Sequence, residues 1–230
     1  FTYDALNNVT SHTDALTHTT TYTYNGTGNL RQITDALGNP TEISYNGSGQ
    51  PTQTVNPSGV QTTFGYNSFG NLNQITLPAL GISSGTLYDA VSRVIKTTNP
   101  NSQATEFTYD ANDNMLTNKD DLNYTTTFAY DANDNLSTIT NAKGKITTLS
   151  YDNNDWVVSE SFEGALKQYN YNSDGTLRTY TSPNGSAFTY QYDTQGRLTT
   201  DGYATYTYNA NNNLNTVTGN GYTITYGYDN

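Results

Sequence analysis

The sequence predicts an all-β chain of tandem antiparallel hairpins, and three observations lead there. First, a Tyr-Asp/Asn pair followed by a small polar turn recurs about every 21 residues along the 230-residue chain. Second, each recurrence carries two short runs rich in Thr, Tyr, Ile and Val, the residue types that fit a pleated sheet. Third, Gly, Asn and Asp clusters separate those runs, so no helix-length stretch escapes a turn signal. A fixed period of this kind marks a repeat architecture.

One unit shows how each element arises. Thr19 to Tyr24 alternates Thr with Tyr, the period of two of a strand with unlike faces. Asn25-Gly26-Thr27-Gly28-Asn29 then breaks the run, its residues supplying the positive φ a tight turn needs. Leu30 to Thr34 makes the return strand, and Asp35-Ala36-Leu37-Gly38-Asn39-Pro40 turns the chain again. Both connections are short, so successive strands run antiparallel. Tyr22 and Tyr24 share a face, as do Phe107 and Tyr109, Phe128 and Tyr130, and Tyr206 and Tyr208, which predicts aromatic ladders across neighbouring hairpins. Leu30 and Ile33 differ by three and should fall on opposite faces of a regular strand; Leu30 is expected to plug the adjacent turn.

The repeat tyrosines expected to be structural are Tyr3, Tyr24, Tyr45, Tyr66, Tyr88, Tyr109, Tyr130, Tyr151, Tyr171 and Tyr192, followed at irregular spacing by Tyr208 and Tyr228. Residues 1–230 read as a single array of about 11 hairpin units cut from a longer polypeptide, with Tyr226-Gly227-Tyr228-Asp229-Asn230 beginning another unit. Twenty or so strands at roughly 4.8 Å spacing give a meander on the order of 100 Å long. Open sheets rarely exceed about 10 strands without curling, so the strip is expected to coil around a hollow.

At this point the chain resembles the RHS or YD-repeat family. Its signature reads approximately Tyr-Asp-x-x-Gly-Asn-Leu, several residues, then Thr-Asp-x-x-Gly. Asn25 to Asp35 with Gly38, and Asn67-Ser68-Phe69-Gly70-Asn71-Leu72, follow it closely, and the resemblance covers essentially the whole chain. It implies a hollow β-shell that encloses a C-terminal effector or signalling region, as in bacterial polymorphic toxins, insecticidal toxin complexes and the teneurins. The implied partners are the remainder of a parent polypeptide and its cargo domain; the implied location is secreted or at a bacterial cell surface, with targeting signals outside this segment. The chain departs from the family in lacking the Asp-Pro-x-Gly segment that ends the shell and carries self-cleavage. Its nearest candidates, Asn56-Pro57-Ser58-Gly59 and Ser182-Pro183-Asn184-Gly185, read as repeat turns.

Composition narrows the alternatives. The hydrophobic share is 33 %, low for a globular domain, yet aromatics reach 13 % with 21 tyrosines, against disorder. Net charge is −11 with nine Lys and Arg, so no basic patch exists to neutralise nucleic-acid phosphates. Cysteine is absent, and no apolar run approaches the roughly 20 residues of a membrane helix. Asp110-Ala111-Asn112-Asp113-Asn114 and its counterpart at Asp131 look like the start of a calcium loop. They put Met115 and Leu136 where that loop needs Gly, and Asp121 and Ala142 where it needs Glu. His12 and His18 read as polar surface residues without a third metal ligand. Trp156 reads as packing more readily than as a sugar platform. No nucleophile elbow or oxyanion loop is present, so no catalytic residues, metal or cofactor are expected. The function expected is a non-enzymatic scaffold. The alternative is a carbohydrate- or cell-surface-binding module that uses the tyrosine ladders, with glycans as partners. Terminal edge strands that carry aromatics and little charge predict self-association.

Overall fold

The computed structural model describes residues 1–228; Asp229 and Asn230, assigned to a further unit by the sequence, lie outside the described residues. The chain divides into two compact units, residues 1–108 with 119–123, and residues 109–118 with those from 124 onward.

The first unit is a meander of β1 (Thr2–Tyr3), β2 (Val9–Thr13), β3 (Thr19–Tyr24), β4 (Leu30–Thr34), β5 (Pro40–Tyr45), β6 (Pro51–Val55), β7 (Gln61–Tyr66), β8 (Leu72–Leu77), β9 (Ile82–Tyr88), β10 (Val94–Thr98) and β11 (Ala104–Tyr109), the last running to the unit boundary. Each strand pairs antiparallel with the next. A single 3₁₀ turn, Pro78–Leu80, replaces the usual connection after β8 and ends on Gly81 at φ 64°.

The second unit continues with β12 (Met115–Lys119), β13 (Thr125–Tyr130), β14 (Leu136–Thr140), β15 (Ile146–Tyr151), β16 (Val157–Phe162), β17 (Ala165–Tyr171), β18 (Leu177–Thr181) and β19 (Ala187–Thr189). A second small sheet follows: β20 (Gln191–Tyr192), β21 (Leu198–Thr200), β22 (Ala204–Tyr208), β23 (Leu214–Gly219) and β24 (Tyr222–Thr225). The pairing from β13 to β19, and again from β20 to β24, is antiparallel between neighbours. The last strand ends at Thr225, and beyond it the Tyr226 N–H still donates to the carbonyl of Asn215 at 2.9 Å.

The two faces differ as the alternation requires. On β3, Thr20, Tyr22 and Tyr24 are half-buried while Thr19, Thr21 and Thr23 are exposed. Across the strands the sheltered face carries Tyr22 opposite Ile33, Phe64 opposite Ile75, Phe128 opposite Ile139 and Tyr206 opposite Val217. These cross-strand apolar pairs hold each hairpin. Yet none of the described residues is fully buried. The accessible surface is 15036 Å². A compact monomer of this 25.2 kDa mass exposes roughly 10,000 Å². Without a buried core among the described residues, stability must come from contacts within the sheets.

Candidate functional site: the tyrosine hydroxyl row

The turns set up the geometry. In the turn after β3, the Asn25 amide N–H donates to the carbonyl of Asn29 at 2.8 Å and the Gly28 N–H to the carbonyl of Asn25 at 3.0 Å. Asn25 Oδ1 accepts the backbone N–H groups of Thr27 at 3.0 Å and Asn29 at 2.9 Å. Asp fills the same role elsewhere: Asp35 Oδ1 accepts from Leu37 and Asn39, and Asp131 Oδ1 from Asn133 and Asn135. The carboxylates that resembled a calcium loop therefore serve as turn acceptors, as Asx side chains do. These bonds hold the carboxyl groups below the usual range. At Asp35 the amide of Asn39 contributes most, and at Asp131 the backbone N–H of Asn135 does.

In the five-residue turns the fourth position is left-handed. Gly38 occupies it at φ 85°, and Asp113, Asp134 and Asp155 occupy it at 70°, 63° and 60°. An aspartate there is strained by about 1–2 kcal/mol. Asp134 gains two partners in exchange, accepting Asn112 Nδ2 at 2.9 Å and Asn114 Nδ2 at 2.7 Å from the preceding repeat. Asp155 accepts Asn133 and Asn135 in the same way.

Beyond the turn that follows a repeat tyrosine, the return strand carries a bulge. Thr23 faces Gln32 and Tyr24 faces Leu30, so Arg31 is the extra residue. The bulge puts Leu30 on the same face as Ile33, correcting the expectation that they lie on opposite faces. The pattern recurs at Tyr45 with Pro51, Tyr66 with Leu72, Tyr88 with Val94, Tyr130 with Leu136, Tyr151 with Val157, Tyr171 with Leu177 and Tyr208 with Leu214.

The carbonyl beside the bulge is where the next repeat reaches back. Tyr24 donates its hydroxyl to the carbonyl of Val9, Tyr45 to Leu30, Tyr66 to Pro51 and Tyr88 to Leu72, at 2.7–2.8 Å. In the second unit Tyr130 donates to Met115, Tyr151 to Leu136 and Tyr171 to Val157, at 2.8–2.9 Å. Tyr208 donates to Leu198 at 3.0 Å and Tyr228 to Leu214 at 2.7 Å. Burial pushes the phenol pKa of Tyr151 and of Tyr171 above the ordinary value.

Two repeat tyrosines stand apart: Tyr3 is exposed, and Tyr192 makes no hydroxyl bond among the described residues. The Tyr192 exception coincides with the break between the two sheets. There Tyr190 N–H still reaches the carbonyl of Arg178, but Gln191 starts a new ladder with Thr200.

The predicted ring ladder at 21-residue spacing is not how the tyrosines meet. Two strands separate consecutive repeat tyrosines, roughly 9.6 Å, which is too far for rings to stack. Rings do stack locally where adjacent strands both carry them. Tyr169 and Tyr180 have centroids 5.4 Å apart and Tyr180 and Phe188 5.7 Å, while Tyr203, in the turn before β22, lies tilted against Phe188 at 4.9 Å. Trp156 is half-buried, with its ring 5.4 Å from that of Tyr171 and over the turn glycine Gly175. His18 Nδ1 lies 3.0 Å from Asp14 Oδ2 within one turn, and His12 packs on Phe1. A hollow of about 720 Å³, open to solvent, lies between two first-unit turns and is lined by Asn25, Asn29, Arg31, Tyr45 and Asn46.

Bulged hairpins tied to their predecessors by tyrosine hydroxyls, with the exception at Tyr192, define a repeat scaffold. The chain belongs to the YD-shell family: it matches the family described as Teneurin YD-shell over residues 83–205, more than half its length, and RHS Repeat over residues 3–40 and 45–80. No curated protein sequence matches it. Among solved structures, it is similar to the one described as "Crystal Structure of TcdB2-TccC3-Cdc42", at 17 % identity and a TM-score of 0.63, covering 88 % of this chain and 14 % of that one. "Crystal Structure of TcdB2-TccC3 without hypervariable C-terminal region" matches at 18 % identity and 0.63, covering 91 % and 14 %. "Crystal Structure of TcdB2-TccC3-TEV" matches at 17 % and 0.62, covering 95 % and 15 %. The chain thus spans about a seventh of the solved chains that it resembles. No helix among the described residues is long and apolar enough to cross a membrane.

Proposed function

We propose that this segment is a length of wall in a hollow β-shell, and that its work is to enclose a cargo region of a parent polypeptide outside the cell. The observation that carries the reading is the hydroxyl-to-carbonyl bond repeated between successive hairpins. It fixes the position of each repeat on the last without a second layer, which is what a wall needs and a globular domain does not. Membership in the YD-shell family supports the same reading. The repeat tyrosines are then structural rather than ligand-contacting, and residues 1–230 act as one array.

The carbohydrate-binding reading finds less support. A sugar stacks on the face of a ring, and in the row from Tyr169 to Phe188 the faces are turned towards one another. Tyr203, 67 % exposed at the end of that row, keeps an open side.

Electron microscopy of a polypeptide that carries this segment and its neighbours tests the proposal. Class averages should show a closed wall of density around an occupied interior. An open, flat sheet with the remaining chain outside it would overturn the reading. Retention of this chain on a glycan array, abolished by Tyr203→Ala, would favour the alternative.

A further inference from the structure

Four asparagines in this chain precede glycine: Asn25, Asn46, Asn184 and Asn220. Such a pair is chemically labile. Glycine leaves its own backbone nitrogen unhindered, and that nitrogen can attack the neighbouring side-chain amide. The four side chains are held very differently. Asn25 Oδ1 accepts the N–H of Thr27, the N–H of Asn29 and the Thr27 hydroxyl. Asn46 Oδ1 accepts two turn N–H groups while Nδ2 donates to Gln50 Oε1. Asn184 Oδ1 accepts the N–H of Ser186 and the hydroxyl of Ser182. Asn220 is exposed, and its side chain makes no hydrogen bond among the described residues.

The backbone sharpens the contrast. Asn220 and Gly221 form the two-residue turn between β23 and β24, with φ of 49° and 79°. This is the tight hairpin turn that Asn-Gly favours. Every residue of β24 is exposed, and the ladder ends with Gly219 opposite Tyr222.

We propose that Asn220 is the site of spontaneous modification in this protein: deamidation through a succinimide, with the other three Asn-Gly pairs protected by their turn hydrogen bonds. The Gly221 backbone nitrogen bonds to Asn220 Cγ, its proton is lost to solvent, and the side-chain nitrogen leaves as ammonia. Water then opens the five-membered ring at either carbonyl. Opening at one returns aspartate at residue 220. Opening at the other passes the backbone through the side chain and yields isoaspartate.

The two products have different consequences. Aspartate is accommodated in left-handed turn positions elsewhere in this chain, at Asp113, Asp134 and Asp155. Isoaspartate adds a methylene to the backbone of a two-residue turn, which breaks the register that aligns Gly219 with Tyr222. The isoaspartate form should therefore release β24 while leaving the rest of the sheet paired.

Peptide mass mapping of the folded chain after incubation in mildly alkaline buffer tests this, with an identical sample in concentrated urea as reference. In the folded chain, conversion at Asn220 should outpace that at Asn25, Asn46 and Asn184 by about tenfold or more, the order imposed by breaking two or three hydrogen bonds before attack. In urea the four rates should draw together. Asn220→Gln should remove the dominant converted peptide and leave the other three rates unchanged. Equal rates at the four sites in the folded chain, or faster conversion at Asn25 or Asn46, would overturn the proposal.

Discussion

The hydroxyl of Tyr45 donates to the carbonyl of Leu30 at 2.7 Å, across the boundary between two consecutive repeats. Leu30 sits beside the bulge that opens its own hairpin opposite Tyr24. The irregularity in one repeat thus presents an acceptor to the tyrosine of the next. A sheet with no buried side chain among its described residues depends on such lateral ties, because it lacks the apolar burial of a packed core.

Alkaline pH should destabilise the sheet through these phenols. Burial raises the folded-state pKa of Tyr151 and Tyr171 above the ordinary value. Their contribution is then fully present below about pH 10, the unfolded value, and is lost as pH rises through the higher folded values. Melting temperature measured across that range should fall, and phenolate absorbance should show a late-titrating class of tyrosines. A flat melting profile with all phenols titrating together would go against this.

The turn aspartates make the opposite prediction. Amide and backbone hydrogen bonds lower the folded-state pKa of Asp4, Asp35, Asp131 and Asp193. The foremost causes are the Asn8 amide at Asp4 and the Arg197 side chain at Asp193. Stability from these groups is present above about pH 4 and lost as pH falls through the lower folded values. Asp35→Asn should make the acid limb shallower, since asparagine performs the same turn role at Asn25 and Asn46.

Two glycine substitutions separate backbone strain from crowding. Gly38 has φ 85° and open space around a new Cβ, so Gly38→Ala should cost about 1–2 kcal/mol from the left-handed backbone alone. Gly175 has the same φ, but a Cβ there would lie 3.0 Å from Trp156 Cζ2. Gly175→Ala should cost more, and Trp156→Ala should narrow the difference. Equal losses in chemical denaturation would mean that the Trp156 ring moves aside freely.

Calcium should leave stability unchanged. Asp110 and Asp131 already spend Oδ1 on turn N–H groups. A rise of several degrees in melting temperature when calcium replaces chelator would show a site that outcompetes those bonds.

Much of the fold can be read in the sequence because the local signals agree. The Thr/Tyr alternation marks β3 at Thr19–Tyr24, and Leu30–Thr34 is β4, both at their observed bounds. The bulge was hidden because a period of two cannot express an inserted residue. Its one trace is the three-residue separation of Leu30 and Ile33, which reads as a misplaced leucine. The hydroxyl bond was hidden for another reason: periodicity ranks tyrosine as an aromatic and says nothing of where its phenol points. Periodicity alone thus predicts a ring ladder where the rings are two strands apart. The break after β19 did leave a signal, the 16-residue gap from Tyr192 to Tyr208.

The most direct test of the account compares Tyr45→Phe with Tyr192→Phe in equilibrium chemical denaturation. Both remove one oxygen from a repeat tyrosine and keep the ring. Tyr45 uses its hydroxyl on the preceding repeat, whereas Tyr192 makes no such bond among the described residues. Tyr45→Phe should lose about 0.5–1.5 kcal/mol and Tyr192→Phe should change stability by no more than about 0.5 kcal/mol. Equal effects from the two substitutions, or no loss at Tyr45, would contradict the claim that the hydroxyls tie the repeats together.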